Sequence, residues 1–101
     1  MKVKEEKIWK DLEAGFGGGS GFRILLHLAL NSNEAFTKYA LVKATGLRTP
    51  SVDAQLKTLV KLNWVKEYPF TPKTYRINME NEVAKSIIEF FQRIKLMRSE
   101  C

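Results

Sequence analysis

Apolar residues recur at three- and four-residue spacings along most of this chain and switch to alternation near one point, a pattern that predicts helices interrupted by a single hairpin. Phe22-Arg-Ile-Leu-Leu-His-Leu-Ala-Leu30 reads as a core helix begun at Ser20 and ended by the polar run Asn31-Ser-Asn33. In the segment from Thr37 to Gly46, Leu41, Ala44 and Thr45 fall at helical spacing, and Gly46 supplies the positive φ that stops a helix sharply. Thr49 is then expected as N-cap, with Pro50 at the first helical position, where its missing N–H costs nothing. Along that next helix Val52, Leu56, Leu59 and Leu62 share one face, while Ser51, Ala54, Lys57, Thr58 and Lys61 share the other. Trp64-Val-Lys-Glu-Tyr68 and Thr74-Tyr-Arg-Ile-Asn78 alternate like half-buried strands, and Pro69-Phe-Thr-Pro-Lys73 joins them as a loop. Glu34-Ala-Phe36 is expected as a short strand that pairs with the hairpin. The fold class is therefore mostly α with a small three-stranded sheet built on one hairpin.

Both ends of the chain read as amphipathic helices. Over residues 81–98, Val83, Ile87, Phe90, Ile94 and Met97 follow one another at spacings of four and three, the rhythm of a coiled-coil seam. Ile88, Phe91 and Leu96 widen that stripe, so one side suits the helix's own domain and the other a partner. Over residues 1–14, Ile8, Trp9 and Leu12, with Phe16 beyond them, make a smaller apolar face on a helix too short to hold its shape alone. Two such helices on a small core predict a homodimer, with Ile8, Trp9, Leu12, Val83, Ile87, Phe90, Phe91, Ile94 and Met97 as its dimerisation residues. Between the first helix and the core, residues 15–21 form a glycine-rich run that reads as a hinge. It does not read as a nucleotide loop: Gly21 is followed by Phe22 and Arg23 where a Walker loop has Lys and Ser or Thr, and no G-x-G-x-x-G register fits.

Composition and charge narrow the picture. The chain has 101 residues, 45% hydrophobic and 28% charged, which suits one soluble globular domain. Its first residues are charged and lead into no long apolar run, and the stretch from Ile24 to Leu30 is interrupted by His27 and too short to span a bilayer. A cytoplasmic protein with no membrane contact is expected. The net charge of +6 is unevenly distributed. Acids and bases cancel over residues 1–20 and again over 80–101, so the whole excess lies in the middle, most of it between Arg48 and Arg76. Cations concentrated there suit phosphate neutralisation and counterion release. Cys101 is the single cysteine, which excludes an intrachain disulfide, and with His27 it makes no usual metal site. In a dimer two copies of Cys101 could form an intermolecular disulfide; otherwise it is a terminal thiol without a role. His27 sits in an apolar run as a packing residue. With no Ser/His/Asp set, metal cluster or nucleotide loop, a binder rather than an enzyme is expected, without cofactors.

The Leu41-Val42 pair, Thr45-Gly46-Leu47 at the turn, Ser51-Val52, Leu56 and Leu59 on the basic helix, and Trp64-Val65 at the start of the hairpin give this chain a resemblance to a known family. The stretch resembles the winged helix-turn-helix family of DNA-binding proteins, in particular the small regulators of archaea and bacteria. The resemblance implies a winged domain over residues 22–79 that binds double-stranded DNA, with helix 49–62 in the major groove and hairpin 64–78 as the wing. A nucleoid-associated transcriptional regulator is the expected function; a general chromatin protein and a winged-helix protein-interaction module are the alternatives. The candidate DNA-binding residues are Lys38, Arg48, Thr49, Ser51, Ala54, Gln55, Lys57, Thr58, Lys61, Lys66, Lys73 and Arg76. Ser51, Ala54, Gln55 and Thr58 are the candidates to meet base edges, with Gln55 suited to adenine and Ala54 to a thymine methyl. Asp53 either accepts from a cytosine or faces away. No small-molecule ligand is evident, and the partners expected are duplex DNA and a second copy of the chain.

Overall fold

The alternating segments pair as their periodicity requires. The computed structural model describes the backbone of residues 2–15 and 19–99, and the side chains of 9–15 and 19–97. Its elements run α1 (Lys2–Gly15), α2 (Ser20–Leu30), β1 (Phe36–Thr37), α3 (Lys38–Thr45), α4 (Thr49–Lys61), β2 (Val65–Tyr68), β3 (Thr74–Ile77) and α5 (Glu82–Ser99). The expected class, mostly helical with a small three-stranded antiparallel sheet, is what is found. The sheet order is β1-β3-β2. Val65 lies opposite Ile77 and Glu67 opposite Tyr75 across the hairpin, while Phe36 and Thr37 pair with Tyr75 and Thr74.

Local chemistry sets the helix limits in the centre of the chain. Thr37 caps α3 by accepting a hydrogen bond from the Ala40 N–H at 3.1 Å. Gly46 ends the same helix in the left-handed conformation at φ 74°, its N–H donating to the Val42 carbonyl at 2.9 Å. A Cβ at Gly46 would meet nothing within 4 Å, so the penalty for a side chain there is purely conformational. Gly46→Ala is expected to cost about 1 kcal/mol and to lower the unfolding temperature by roughly 4–8 °C, measurable by circular dichroism.

One core joins every layer. Ile24, Leu28 and Ala29 of α2 meet Leu41 of α3, Val52, Leu56 and Leu59 of α4, Val65, Tyr75 and Ile77 of the sheet, and Ala84 and Phe91 of α5. Each large aliphatic side chain fully withdrawn from water contributes about 1.5–3 kcal/mol to folding before entropy is counted. The turn into β2 uses Asn63 at φ 66°, and its carbonyl accepts from the buried Asn78 side chain at 2.9 Å. Asn78 also accepts from the Glu80 N–H, and Asn81 caps α5 by accepting from the Ala84 N–H. A pair of asparagines thus carries the chain from the hairpin into the last helix.

Several boundaries differ from the sequence reading. Arg48, with extended backbone, is the N-cap of α4, and Thr49 and Pro50 are its first helical residues. Proline is tolerated one position later than expected because the N–H groups of the whole first turn lack intrahelical partners. Leu62, expected in the buried stripe of α4, is 46% exposed because the helix ends at Lys61 and Leu62 occupies the C-cap. The short strand lies at Phe36–Thr37 rather than 34–36. The start of α2 at Ser20 is as expected, with Gly19 at φ 98° as its N-cap. The expected hinge over 15–21 is correspondingly narrowed, since Gly15 belongs to α1 and Ser20 and Gly21 to α2, while residues 16–18 lie outside the described residues. Gly21 has a packing reason of its own: a Cβ there would sit 2.9 Å from Gln55 Oε1 on α4.

The terminal helices use part of their apolar surface within the chain. Trp9 packs edge-on against Phe91 with ring centroids 6.0 Å apart, and Glu13 pairs with Arg23 at 3.2 Å, fastening α1 across α2 and α5. Trp9 and Phe91, both expected at a dimer contact, therefore serve the core, and Leu12 is half-buried. Ile8 and Cys101 carry expectations that fall outside the described side chains.

Candidate nucleic-acid interface

Gly46 turns the chain so abruptly that α3 and α4 present their starts, together with the hairpin, to one side of the molecule. Arg48, Thr49, Ala54, Lys57, Thr58 and Lys61 are exposed along α4 and just before it, and Ser51 is half-buried. The Thr58 hydroxyl donates to the Ala54 carbonyl at 3.3 Å. Gln55 points instead toward Gly21 of α2, away from the base-reading position expected of it.

Asp53 explains itself once the fold is known. Its carboxylate lies 2.6 Å from Lys38 Nζ on α3 and 3.7 Å from Lys57 Nζ one turn along α4. The hydrogen bond from Lys38, helped by the charges of Lys38 and Lys57, holds the Asp53 carboxyl below the usual carboxylate range. Neither alternative expected for this residue, pairing with cytosine or facing away, describes that bridge between two candidate phosphate contacts. A second acid does similar work on the hairpin. Glu67 pairs with Lys73 at 3.5 Å and accepts from the Tyr75 hydroxyl at 3.0 Å. Burial, reinforced by that hydrogen bond, pushes the Tyr75 hydroxyl up to about 12.

These groups line two adjoining clefts. One, of about 690 Å³, opens between the starts of α3 and α4 and the hairpin, and is lined by Lys38, Tyr39, Thr49 and Lys73. The other, of about 320 Å³, lies between α4 and the hairpin and is lined by Asp53, Lys57, Lys61 and Glu67. Lys38, Lys73 and Tyr75 belong to both. Arg48 and Lys61 make no ion pair among the described residues, which leaves them the most available cations here.

The alternation of the strands separates the hairpin's cations. Glu67 and Tyr75 lie on the face that carries the buried Val65 and Ile77, whereas Lys66 and Arg76 lie on the opposite face. Lys66 pairs with Glu80 at 3.1 Å, and Arg76 Nε donates to the Ser32 carbonyl at 3.2 Å. Both are candidate DNA-binding residues along with Lys73, and each is fastened to the chain on the other face of the hairpin. At the loop, Phe70 is 64% exposed and stacks on Tyr68 with centroids 6.1 Å apart. Two aromatic residues that the sequence did not single out also border the clefts: Tyr75, buried under them, and Tyr39, whose ring lies beneath Lys43 Nζ at 5.4 Å from its centroid.

His27 packs its ring against Phe36 at 4.8 Å. Among the described residues no group of three or more His, Cys, Asp or Glu side chains is arranged to hold a metal ion, and no helix is long and apolar enough to cross a membrane. Comparison of the chain with family models, curated proteins and solved structures returns no match.

Proposed function

We propose that this chain is a winged helix-turn-helix protein that binds double-stranded DNA as a dimer, with α4 in the major groove and the β2–β3 hairpin as the wing. The order helix, short strand, helix, helix, hairpin, with the short strand added to the sheet beside β3, supports the winged reading. One observation carries the functional step: the charge excess of the sequence coincides with the exposed side of α4 and the cleft it shares with the hairpin. Arg48, Lys61 and the lysines paired to Asp53 and Glu67 would meet phosphates and set position, while Ser51, Ala54 and Thr58 would meet base edges. Transcriptional regulation from a cytoplasmic, nucleoid-associated location follows from this reading, and sequence-independent chromatin binding is its neighbour.

Fluorescence anisotropy with a random-sequence duplex over a salt series tests the proposal. The logarithm of the binding constant should fall linearly with the logarithm of salt, by roughly 0.9 per phosphate neutralised. The double variant Arg48→Glu, Lys61→Glu should bind roughly tenfold or more weakly at ~0.1 M salt, since two contacts become repulsions. Absence of wild-type binding at low salt would refute the DNA reading. Enrichment of one inverted repeat from genomic fragments would separate a regulator from a chromatin protein.

A further inference from the structure

The tip and outer face of the hairpin carry groups that the duplex-facing clefts do not use. Phe70, at the tip, is 64% exposed. Its position is set by the chain before it: Pro69 has a fixed φ, and the Phe70 N–H donates to the Tyr68 carbonyl at 2.8 Å, closing a tight turn. That turn lays the Phe70 ring over the ring of Tyr68 with 11° between their planes. One face of Phe70 is thereby taken, and among the described residues no second ring meets the other. Strand alternation puts Tyr68 on the same face as Lys66 and Arg76. Lys66 and Arg76 are direct cross-strand partners, and like charges so placed cost stability unless an anion answers them. Glu80, itself 83% exposed, answers Lys66, while Arg76 Nε has only the neutral Ser32 carbonyl. Beside them lies a hollow of about 160 Å³ lined by Lys66, Tyr68, Arg76, Met79 and Glu80.

We infer that this face binds single-stranded nucleic acid, with one unpaired base stacked on the open face of Phe70 and a neighbouring phosphate in the hollow between Lys66 and Arg76. An aromatic platform beside a cationic track is what a single strand needs, because every base has a π-face and every nucleotide a charge. The stack itself selects an unpaired base over an intact duplex: a wedge between two base pairs must offer both faces of its ring, and Tyr68 already holds one. Lys66 lies two residues, roughly 7 Å, along the strand from Tyr68, close enough for one nucleotide to touch both the rings and the cations. The exchange costs little, since the Lys66–Glu80 pair is exposed and a phosphate can displace the carboxylate. A protein partner would call for an apolar centre depleted of charge, whereas this face sets two cations and an acid beside its aromatic pair. The site lies on the opposite face of the hairpin from the clefts assigned to the duplex and does not rest on that assignment.

Fluorescence anisotropy of a labelled oligothymidylate of about 12 nucleotides with the full chain tests the site, at about 20 mM salt where screening is weak. Phe70→Ala is expected to weaken binding roughly 5- to 150-fold, the worth of one base–aromatic stack, with an unchanged circular-dichroism spectrum, and Phe70→Trp should retain it. Lys66→Gln should lower the salt slope by about 0.7, the share of one strand phosphate. A second probe of equal length and charge whose sugars carry no bases should bind the wild-type chain more weakly, and Phe70→Ala should leave that binding unchanged, which separates stacking from charge. No binding of oligothymidylate by the wild-type chain would overturn the inference, as would wild-type affinity in Phe70→Ala. Equal weakening of duplex and single strand by Phe70→Ala would also overturn it, by placing the ring at the duplex. Phe70-dependent binding of oligothymidylate without any binding of a duplex would sink the duplex reading and support this site.

Discussion

Phe91→Ala is expected to lower the free energy of unfolding by about 3–5 kcal/mol, the largest effect of any single truncation considered for this fold. Phe91 is only 3% exposed and stands where three helices meet. Its ring makes edge-on contacts with Trp9 of α1 and with Phe22 of α2, at centroid distances of 6.0 and 5.7 Å. Truncation loses the transfer energy of the ring, leaves a cavity between elements that cannot fully collapse, and removes three aromatic pairs, the third with Phe90 at 5.7 Å, worth about 0.5–1.5 kcal/mol each beyond their area. Because small domains have only about 5–15 kcal/mol in hand, the loss should be visible as a large fall in urea midpoint. Phe91→Leu, which keeps most of the apolar volume, should fall by much less. Equal losses for the two variants would mean that the aromatic junction contributes nothing beyond bulk. In a Trp64→Phe background, Trp9 fluorescence should shift to the red in Phe91→Ala under native conditions, since Trp9 loses its ring contact with α5.

The second large effect concerns the cation-rich clefts. Asp53→Asn is expected to raise affinity for a random-sequence duplex roughly tenfold at ~0.1 M salt, with the salt slope steeper by up to about 0.9 for each lysine recruited. In the folded chain Asp53 already occupies Lys38 and Lys57, as a phosphate would. The amide has nearly the same shape but no charge, so it removes both the competition and the repulsion of incoming phosphates. Folding should be affected little, because the pair is partly exposed and such pairs are screened. Glu67→Gln should act in the same direction through Lys73, by less, since one lysine is involved rather than two. Unchanged affinity in Asp53→Asn would mean that Lys38 and Lys57 do not reach phosphates, leaving Arg48 and Lys61 to carry the contact.

What could be read from the sequence was whatever depends on neighbours along the chain. Gly46 announced its left-handed turn because few residues tolerate that conformation, and Val52, Leu56 and Leu59 announced their burial by spacing alone. The apolar stripe of α5 was visible for the same reason. Leu62 fitted the period of α4 yet lies beyond its last turn, since periodicity does not say where a helix stops. A two-residue strand such as β1 has no period at all, and it is defined by pairing with β3. In the clefts, the Asp53–Lys57 pair was readable as a contact four residues apart. Lys38–Asp53 and Arg76–Ser32 join residues distant in sequence and exist only through the packing of α3 on α4 and of the sheet on the loop after α2. For that reason a sum of charges located the basic region correctly but overstated how many of its cations are unoccupied.

Thr37 is at once the last residue of β1, opposite Thr74 at the base of the hairpin loop, and the cap of α3. There is no spacer between strand and helix: Lys38, the next residue, already grips Asp53 on α4. The hairpin and the two helices are therefore geared together. A tilt of the loop is delivered through one peptide unit to α3 and through one ion pair to α4, so the parts that would face a duplex in the proposed reading move as a stiff three-pronged clamp. Little of the attraction to a ligand is then consumed in ordering the jaws, and a mutation that slackens Thr37 should blunt discrimination between ligands before it unfolds the chain.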